Sequence, residues 1–114
     1  MQDVDPSLTE TVEVITVGDE LLTGDVVNTN ATWLAGELYA RGVITRRVVT
    51  IPDEVELIAD AVREAQSRVD AVLVTGGIGP TRDDVTMAGV AQACDVSLTA
   101  HAGAERWLIE EGGY

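Results

Sequence analysis

Apolar positions follow two alternating patterns along the chain, and together these predict three β-strands separated by helices. Short runs rich in β-branched residues occur three times, as expected for buried parallel strands. Between and after them, apolar residues recur at spacings of three and four, which is typical of helices with one buried face. The predicted strands are 11–17, 43–51 and 70–75, and the predicted helices are 31–41, 54–68, 85–94 and 101–111.

Capping residues set the predicted ends of these elements. Asn30 is a suitable N-cap for the first helix, and Gly42 stands where a helix C′ glycine is expected. Asp53 and Glu56 form a capping-box pattern at the start of the second helix. Residues 18–28 contain no periodic apolar pattern and are predicted to be a loop.

The alternation of strands and helices predicts an α/β fold. Right-handed strand–helix–strand units give a three-layer α/β/α arrangement around a mostly parallel sheet. We expect a frayed N-terminus over residues 1–10 and one domain over 11–114. Three strands leave the sheet edges unpaired, so we expect either missing C-terminal residues or a homo-oligomer, a dimer or a trimer.

The charge balance excludes several classes of function. The chain has 114 residues and a formal net charge of −13, from 20 acidic residues and seven arginines, with no lysine. Such a surface repels nucleic acids and anionic membranes, so neither is expected as a partner. The absence of lysine excludes a P-loop lysine and a Schiff base. Acidity without lysine favours adaptation to high salt, the alternative being an acidic protein of a low-salt cell.

Other features of the composition point to ordinary structural roles. No apolar run is long enough to span a bilayer and the start of the chain is acidic, so a soluble cytoplasmic protein is expected. The single cysteine, Cys94, is expected to be buried. The single histidine, His101, is expected at the surface, because no partner is available for a zinc site. Trp33 and Trp107 are expected to pack helices rather than to stack on a ligand.

The segment from Leu73 to Thr86 carries the strongest chemical signal. An apolar strand ends at Thr75, and the glycines Gly76, Gly77 and Gly79 follow it directly. Glycines let ligand oxygens approach backbone N–H groups, because there is no Cβ in the way. The pattern lacks the third glycine of a dinucleotide fingerprint. A tight turn would explain one or two glycines, but three glycines beside charged residues favour an anion site.

Charged residues follow the glycines. Arg82 is suited to gripping a phosphate, and Asp83 and Asp84 are suited to holding a hydrated Mg²⁺ that bridges phosphate oxygens. The alternative is that one aspartate caps the next helix. One aspartate suffices for a cap, so the other is left for function, and the pattern does not say which.

The loops after the first two strands should open at the same edge of the sheet. In a parallel sheet the carboxyl ends of all strands lie at the same edge, and ligands bind at that edge. Each of these polar side chains also has an ordinary explanation, as a cap or as a solvated loop charge, but three polar loops at one edge favour a site. The candidates in these loops are Asp19, Glu20, Asn28, Asn30 and Asp53.

Three ordered motifs in this chain resemble the molybdopterin-binding domain family, and most closely its CinA-type branch. They are Gly18–Ala31 (GDELLTGDVVNTNA), Val49–Asp53 (VTIPD) and Thr75–Thr86 (TGGIGPTRDDVT). The resemblance implies a three-layer α/β domain, often trimeric, that binds molybdopterin or a related nucleotide. The family domain normally continues past Tyr114, and CinA proteins often carry a further amide-hydrolysing domain.

The resemblance also implies particular roles for residues. Gly76, Gly77 and Gly79 match the loop that holds the ligand phosphate. The acidic positions that matter in the adenylylating members, which use MgATP, fall on Asp53 and Asp84. CinA-type members are associated with metal-dependent hydrolysis of ADP-ribose. Such chemistry would use Asp53 and Asp84 to position a divalent cation, while the glycine loop and Arg82 hold phosphate oxygens.

Three functions therefore remain open. The first is a binding domain for molybdopterin or a nucleotide, with a divalent metal such as Mg²⁺. The second is a metal-dependent ADP-ribose pyrophosphatase that uses the same site. The third is an interaction module in which the glycine loop only makes a turn.

Overall fold

Three parallel strands form one sheet in the order β2-β1-β3, so the first strand of the chain lies at the centre. The structure is a computed structural model and describes residues 10–24, 29–79 and 81–112. The strands are β1 (Glu10–Val17), β2 (Val43–Ile51) and β3 (Ala71–Thr75). The helices are α1 (Asp19–Leu22), α2 (Thr29–Ala40), α3 (Val55–Gln66), α4 (Thr86–Ala93) and α5 (Ala102–Glu110).

Strand β1 is buried on both faces. Every residue from Val12 to Val17 is buried, including the charged Glu13. The β1–β2 register pairs Val17 with Ile51, and the β1–β3 register pairs Thr16 with Thr75. All three strands therefore end at nearly the same level. The predicted α/β fold with a parallel sheet is confirmed.

The helices cover the two faces of the sheet. Because β2 and β3 lie on opposite sides of β1, right-handed crossovers place α2 and α3 on opposite faces. Helix α4 packs on α3 and so joins its layer. The main core forms between this layer and the sheet. Its fully buried residues are Ile15, Val17, Ile58, Val62 and Ala65.

Two predicted element boundaries were wrong in an informative way. Residues 18–28 were expected to be a loop, but Asp19–Leu22 forms the short helix α1. Four residues are too few for an apolar period to be visible in the sequence. Asn30 was expected to cap the next helix from outside, yet α2 already begins at Thr29 and includes it. The prediction at Gly42 is confirmed, since this glycine has a φ of +82° after α2.

Three burial predictions were wrong. Trp33 and Trp107 were expected to pack helices, but their exposed fractions are 65% and 60%. Cys94 was expected to be buried, but it is exposed directly after α4, within 3.9 Å of the Gln66 amide. The two tryptophans lie on the exposed sides of α2 and α5, and Cys94 lies just beyond the end of its helix.

An ion pair inside the fold escaped prediction. The Glu13 side chain is only 2% exposed, and both its carboxylate oxygens accept hydrogen bonds of 3.1 Å from Arg68 Nη2. Arg68 follows α3, so the pair ties the centre of the sheet to the helix layer. Glu13 interrupts an apolar strand pattern, and nothing in its spacing indicated the partner 55 positions away.

Helix α5 is the least embedded element. None of its residues is buried. Its N-cap is His101, whose Nδ1 accepts a hydrogen bond of 3.1 Å from the Ala104 N–H. The surface position predicted for His101 is confirmed, and the side chain caps the helix. Across the described ranges, no helix is both long and apolar enough to cross a membrane.

Candidate functional site

Three loops meet at the carboxyl edge of the sheet. They follow Val17, Ile51 and Thr75, which are the last residues of the three paired strands. The loop after β1 is joined to the end of β2 by a 3.0 Å hydrogen bond from the Gly18 N–H to the Ile51 carbonyl. The sequence motifs are therefore brought to one side of the molecule, as predicted for a parallel sheet.

At Gly76 and Gly77, the glycine loop after β3 runs too close to its neighbours for a side chain to fit. Gly76 and Gly77 have φ values of +85° and +64°. A Cβ on Gly76 would overlap the Val17 carbonyl oxygen, and one on Gly77 would overlap the Thr86 hydroxyl. The Thr86 hydroxyl donates to the Gly76 carbonyl at 2.7 Å, and the Thr86 N–H donates to the Gly77 carbonyl at 3.1 Å. Thr86 therefore fixes the loop against the start of α4.

This arrangement leaves backbone donors available. The N–H groups of Gly77 and Ile78 have no acceptor within the described part of the chain. The loop leads to the N-terminus of α4, where Val85 provides no side-chain cap. Free N–H groups beside the positive end of a helix dipole favour an anion.

Asp84 organises the same loop from its far end. One carboxylate oxygen, Oδ2, accepts hydrogen bonds from the Thr81 N–H at 3.0 Å and from the Thr81 hydroxyl at 2.5 Å. The Thr81 hydroxyl, followed by the Thr81 N–H and more weakly the Gly79 N–H, holds the pKa of Asp84 below its ordinary value. Asp84 therefore stays ionised at neutral pH, and one of its oxygens is already occupied by the loop.

Asp53 and Asp19 bind each other across two loops. The Asp53 N–H donates to Asp19 Oδ1 at 3.0 Å, and the Asp19 N–H donates to Asp53 Oδ2 at 3.2 Å. The expected capping box at Asp53 is thus wrong: Glu54 is the N-cap of α3, without a side-chain hydrogen bond, because the Asp53 carboxylate is used elsewhere. Asp53 Oδ1 lies 3.4 Å from the point that a Gly77 Cβ would occupy.

The remaining candidates differ in how closely they join this edge. Arg82 and Asp83 are exposed in the turn before α4, and neither makes an ion pair with any described residue. Neither aspartate of this turn caps α4. Thr75 ends β3 and is partly buried.

The candidates after β1 lie on the two helices that follow it. Glu20 is exposed in α1, with its carboxylate near Gly18, and Asn30 is exposed in the first turn of α2. Asn28 lies outside the described residues.

Two threonines of the site were not predicted. Thr86 is 1% exposed and holds the glycine loop, and Thr81 binds the Asp84 carboxylate. The sequence indicated only that a helix begins near Thr86. A hydroxyl that reaches back ten residues to a carbonyl leaves no trace in the local pattern.

The carboxylates of this edge do not form a closed metal cage. Across the described residues there is no group of three or more His, Cys, Asp or Glu side chains arranged for a metal ion. Mg²⁺ usually takes one or two carboxylates and completes its shell with water and substrate phosphates. Asp53 Oδ1, near Gly77, is suited to that kind of partial site.

These features define a class of protein: an α/β domain whose turn after β3 leaves no room for a Cβ at Gly76 or Gly77 and presents N–H groups and carboxylates at the sheet edge. Residues 13–111 match the family described as "Probable molybdopterin binding domain". The chain belongs to this family.

Relatives and solved structures agree with this assignment. A CinA-like protein from Frankia casuarinae is 48% identical over 86 residues, which are 75% of this chain and 20% of that protein. The crystal structure of the protein CinA with unknown function from Thermoplasma acidophilum superposes with a TM-score of 0.88 at 35% identity, covering 92% of this chain and 62% of that one. The tungsten cofactor synthesizing protein MoaB from Pyrococcus furiosus gives 0.69 at 27% identity, covering 93% and 67%.

The resemblance to the CinA-type branch is thus confirmed. The chain is shorter than its relatives: it spans between 20% and 42% of the length of eight curated proteins that it matches.

Proposed function

We propose that this domain binds a phosphorylated pterin or nucleotide at the glycine loop, together with a divalent cation such as Mg²⁺. The observation that carries the proposal is the pair of N–H groups at Gly77 and Ile78, which have no acceptor among the described residues and stand in a turn without room for a Cβ at Gly76 or Gly77. Family membership supports molybdopterin as the ligand.

Each part of the site has a distinct task in this proposal. The N–H groups of the loop donate to phosphate oxygens, and Arg82 adds a mobile positive charge from the turn before α4. Asp53 contributes a carboxylate oxygen to the cation, and Asp83 is a further exposed carboxylate in the turn before α4. A bound cation supplies charge neutralisation at the phosphates. Asp84 holds the loop in shape through Thr81.

The net charge of −13 is compatible with an anionic ligand. The donors act at hydrogen-bond distance, whereas charges farther away than the Debye length of about 8 Å are largely screened at physiological salt. We expect binding to strengthen when Mg²⁺ is present, because the cation offsets both the ligand charge and the nearby carboxylates.

The test is calorimetric titration with ADP-ribose and with pyrophosphate, with and without Mg²⁺. Arg82→Ala should weaken binding, while Arg106→Ala, which removes an equally exposed arginine from α5, should not. Saturating ligand at about 100 times Kd should stabilise the fold by about 2.7 kcal/mol. Absence of binding by these probes and by molybdopterin would reject the proposal and leave the interaction module.

The hydrolytic alternative is distinguished in the same samples. A pyrophosphatase would convert ADP-ribose to AMP and ribose phosphate in a metal-dependent reaction, and Asp53→Asn would abolish AMP release. Binding without AMP release assigns the domain to ligand binding only.

A further inference from the structure

The loops after β1 and β2 are locked together by a ring of two hydrogen bonds. Asp19 and Asp53 each stand two residues beyond the end of their strand, and the strands are paired up to Val17 and Ile51. Each aspartate gives its N–H to the other's carboxylate, at 3.0 and 3.2 Å. Such reciprocal bonds offset the repulsion between two neighbouring carboxylates.

The ring uses only one oxygen of each carboxylate. Asp19 accepts through Oδ1 and Asp53 through Oδ2. The other oxygen of Asp53, Oδ1, is the one beside Gly77 in the glycine loop. The Asp19 N–H holds this carboxylate through its second oxygen, and the Asp19 carboxylate holds the Asp53 main chain from which the side chain extends, so both the place and the orientation of Asp53 depend on Asp19.

The ring takes the place of a helix cap that the Asp53 carboxylate could otherwise provide. An aspartate just before a helix ordinarily caps it and stabilises the helix. Helix α3 begins without any side-chain cap, although Asp53 stands only two residues before Val55. The Asp53 carboxylate is directed toward the sheet edge instead.

We infer that Asp19 is a positioning residue: it acts on the ligand through Asp53 and does not contact the ligand itself. The inference rests on the proposed function for its effect on binding. Its structural part, that Asp19 sets the place of Asp53 beside Gly77, is independent of any ligand.

The binding test uses ADP-ribose with Mg²⁺ and compares Asp19→Ala with Asp19→Asn. Asparagine keeps a side-chain oxygen for the Asp53 N–H, and alanine does not. We expect Asp19→Ala to weaken binding by about tenfold or more, and Asp19→Asn by no more than about threefold. Asp60→Ala removes an exposed acid from α3 and serves as the control for charge.

A double variant separates positioning from direct contact. If Asp19 acts only through Asp53, Asp19→Ala causes no further loss of affinity in an Asp53→Ala background. Losses that multiply would show that Asp19 binds the ligand independently, and would overturn the inference. Equal losses in Asp19→Asn and Asp19→Ala would also overturn it, because the acceptor would then be irrelevant.

NMR spectra of the backbone amides in the ligand-free protein test the inference even if ADP-ribose does not bind. Asp19→Ala should shift the N–H signals of Asp53 and Gly77 and speed hydrogen exchange at Asp53, whereas Asp60→Ala should leave both unchanged. Unmoved signals in a folded Asp19→Ala protein would reject the positioning role. A wild-type protein that fails to bind while these shifts occur rejects the proposed function alone.

Discussion

At the scale of single residues, backbone conformation matters more than side-chain chemistry in the glycine loop. Gly77 combines a φ of +64° with a position where a Cβ overlaps the buried Thr86 hydroxyl. Gly77→Ala should therefore lower the free energy of unfolding by about 1–3 kcal/mol. Gly36 lies in α2 with open space around it, so Gly36→Ala should raise stability by about 0.5–1 kcal/mol.

Urea unfolding monitored by circular dichroism measures both changes. Equal effects of the two substitutions would show that the loop tolerates a Cβ and that its strain is unimportant. The comparison isolates backbone geometry, because each substitution adds the same methyl group.

Asp84 makes the stability of the loop depend on pH. Its pKa is lowered in the folded protein by the Thr81 hydroxyl and N–H groups. A carboxyl with a lowered folded pKa stabilises the fold above its unfolded pKa, and this contribution is lost as the pH falls through the folded pKa. The stability difference between wild type and Asp84→Asn should therefore be largest near neutral pH and should disappear as the solution becomes more acid than about pH 4.

Denaturation curves from pH 7 to pH 2 test this expectation. The control is Asp83→Asn, which removes the neighbouring carboxylate, a group without a hydrogen-bond partner among the described residues. A constant difference for Asp84→Asn across the range would assign its effect to packing rather than to charge. The Thr11 N–H and hydroxyl also lower the pKa of Asp70. Asp70 is unchanged in all three proteins, so its contribution to the pH dependence of stability is common to them.

At the scale of elements, most of the fold was predictable, and the site was predictable in outline only. Apolar residues alternate or cluster clearly in the runs 11–17 and 43–51. The predicted ends of both strands therefore agree with the structure to within one residue. The apolar spacing of three and four on α3 corresponds to residues that are buried in the core, among them Ile58, Val62 and Ala65. The Asp19–Asp53 bonds were not predictable, because a local capping pattern at Asp53 competes with a partner 34 residues away.

Burial at α2 and α5 was not predictable for a different reason. A helix pattern shows which side is apolar but not whether anything covers it. Trp107, Leu108 and Ile109 of α5 are all more than 40% exposed. The described part of the chain does not cover these apolar side chains.

The pair between Glu13 and Arg68 should stabilise the contact between the sheet and the α3 layer. Arg68→Ala leaves the carboxylate of Glu13 buried without a partner. We expect a loss of about 2–3 kcal/mol, less than the roughly 3–5 kcal/mol of a fully buried pair, because Arg68 is partly exposed. Arg41→Ala, which removes an exposed pair with Glu37 in α2, should cost about 0.5 kcal/mol.

Thermal unfolding of both variants checks this difference. The double variant Glu13→Leu with Arg68→Ala should recover part of the lost stability, since it removes the uncompensated charge. Similar losses for Arg68→Ala and Arg41→Ala would mean that the Glu13 carboxylate finds another partner when Arg68 is removed.

At the scale of the whole molecule, the excess of acidic residues predicts a strong response to salt. A net charge of −13 on 114 residues opposes the compact state by self-repulsion. Raising NaCl from about 0.1 to about 1 M shortens the Debye length from about 10 to about 3 Å. Tm should rise across this range, with each gain of about 1 kcal/mol worth roughly 4–8 °C.

Neutralising exposed acids should reduce that response. Glu105→Gln with Glu110→Gln changes the net charge from −13 to −11 by removing two charges from α5. The doubly substituted protein should have a higher Tm in low salt and a smaller gain in high salt. Full stability of the wild type at low ionic strength would reject adaptation to high salt and favour the alternative of an ordinary acidic protein.

The central place of β1 has a consequence for how the protein is made. This strand leaves the ribosome first, but its neighbours are encoded later: Val17 pairs with Ile51, 34 positions on (51 − 17), and Thr16 pairs with Thr75, 59 positions on (75 − 16). At about 5–20 residues per second, the first partner arrives roughly 2–7 s later. Throughout that interval six consecutive residues that end up buried on both faces have no sheet to join. We therefore expect a nascent chain of this protein to depend on shielding of this apolar segment until β2 has been made.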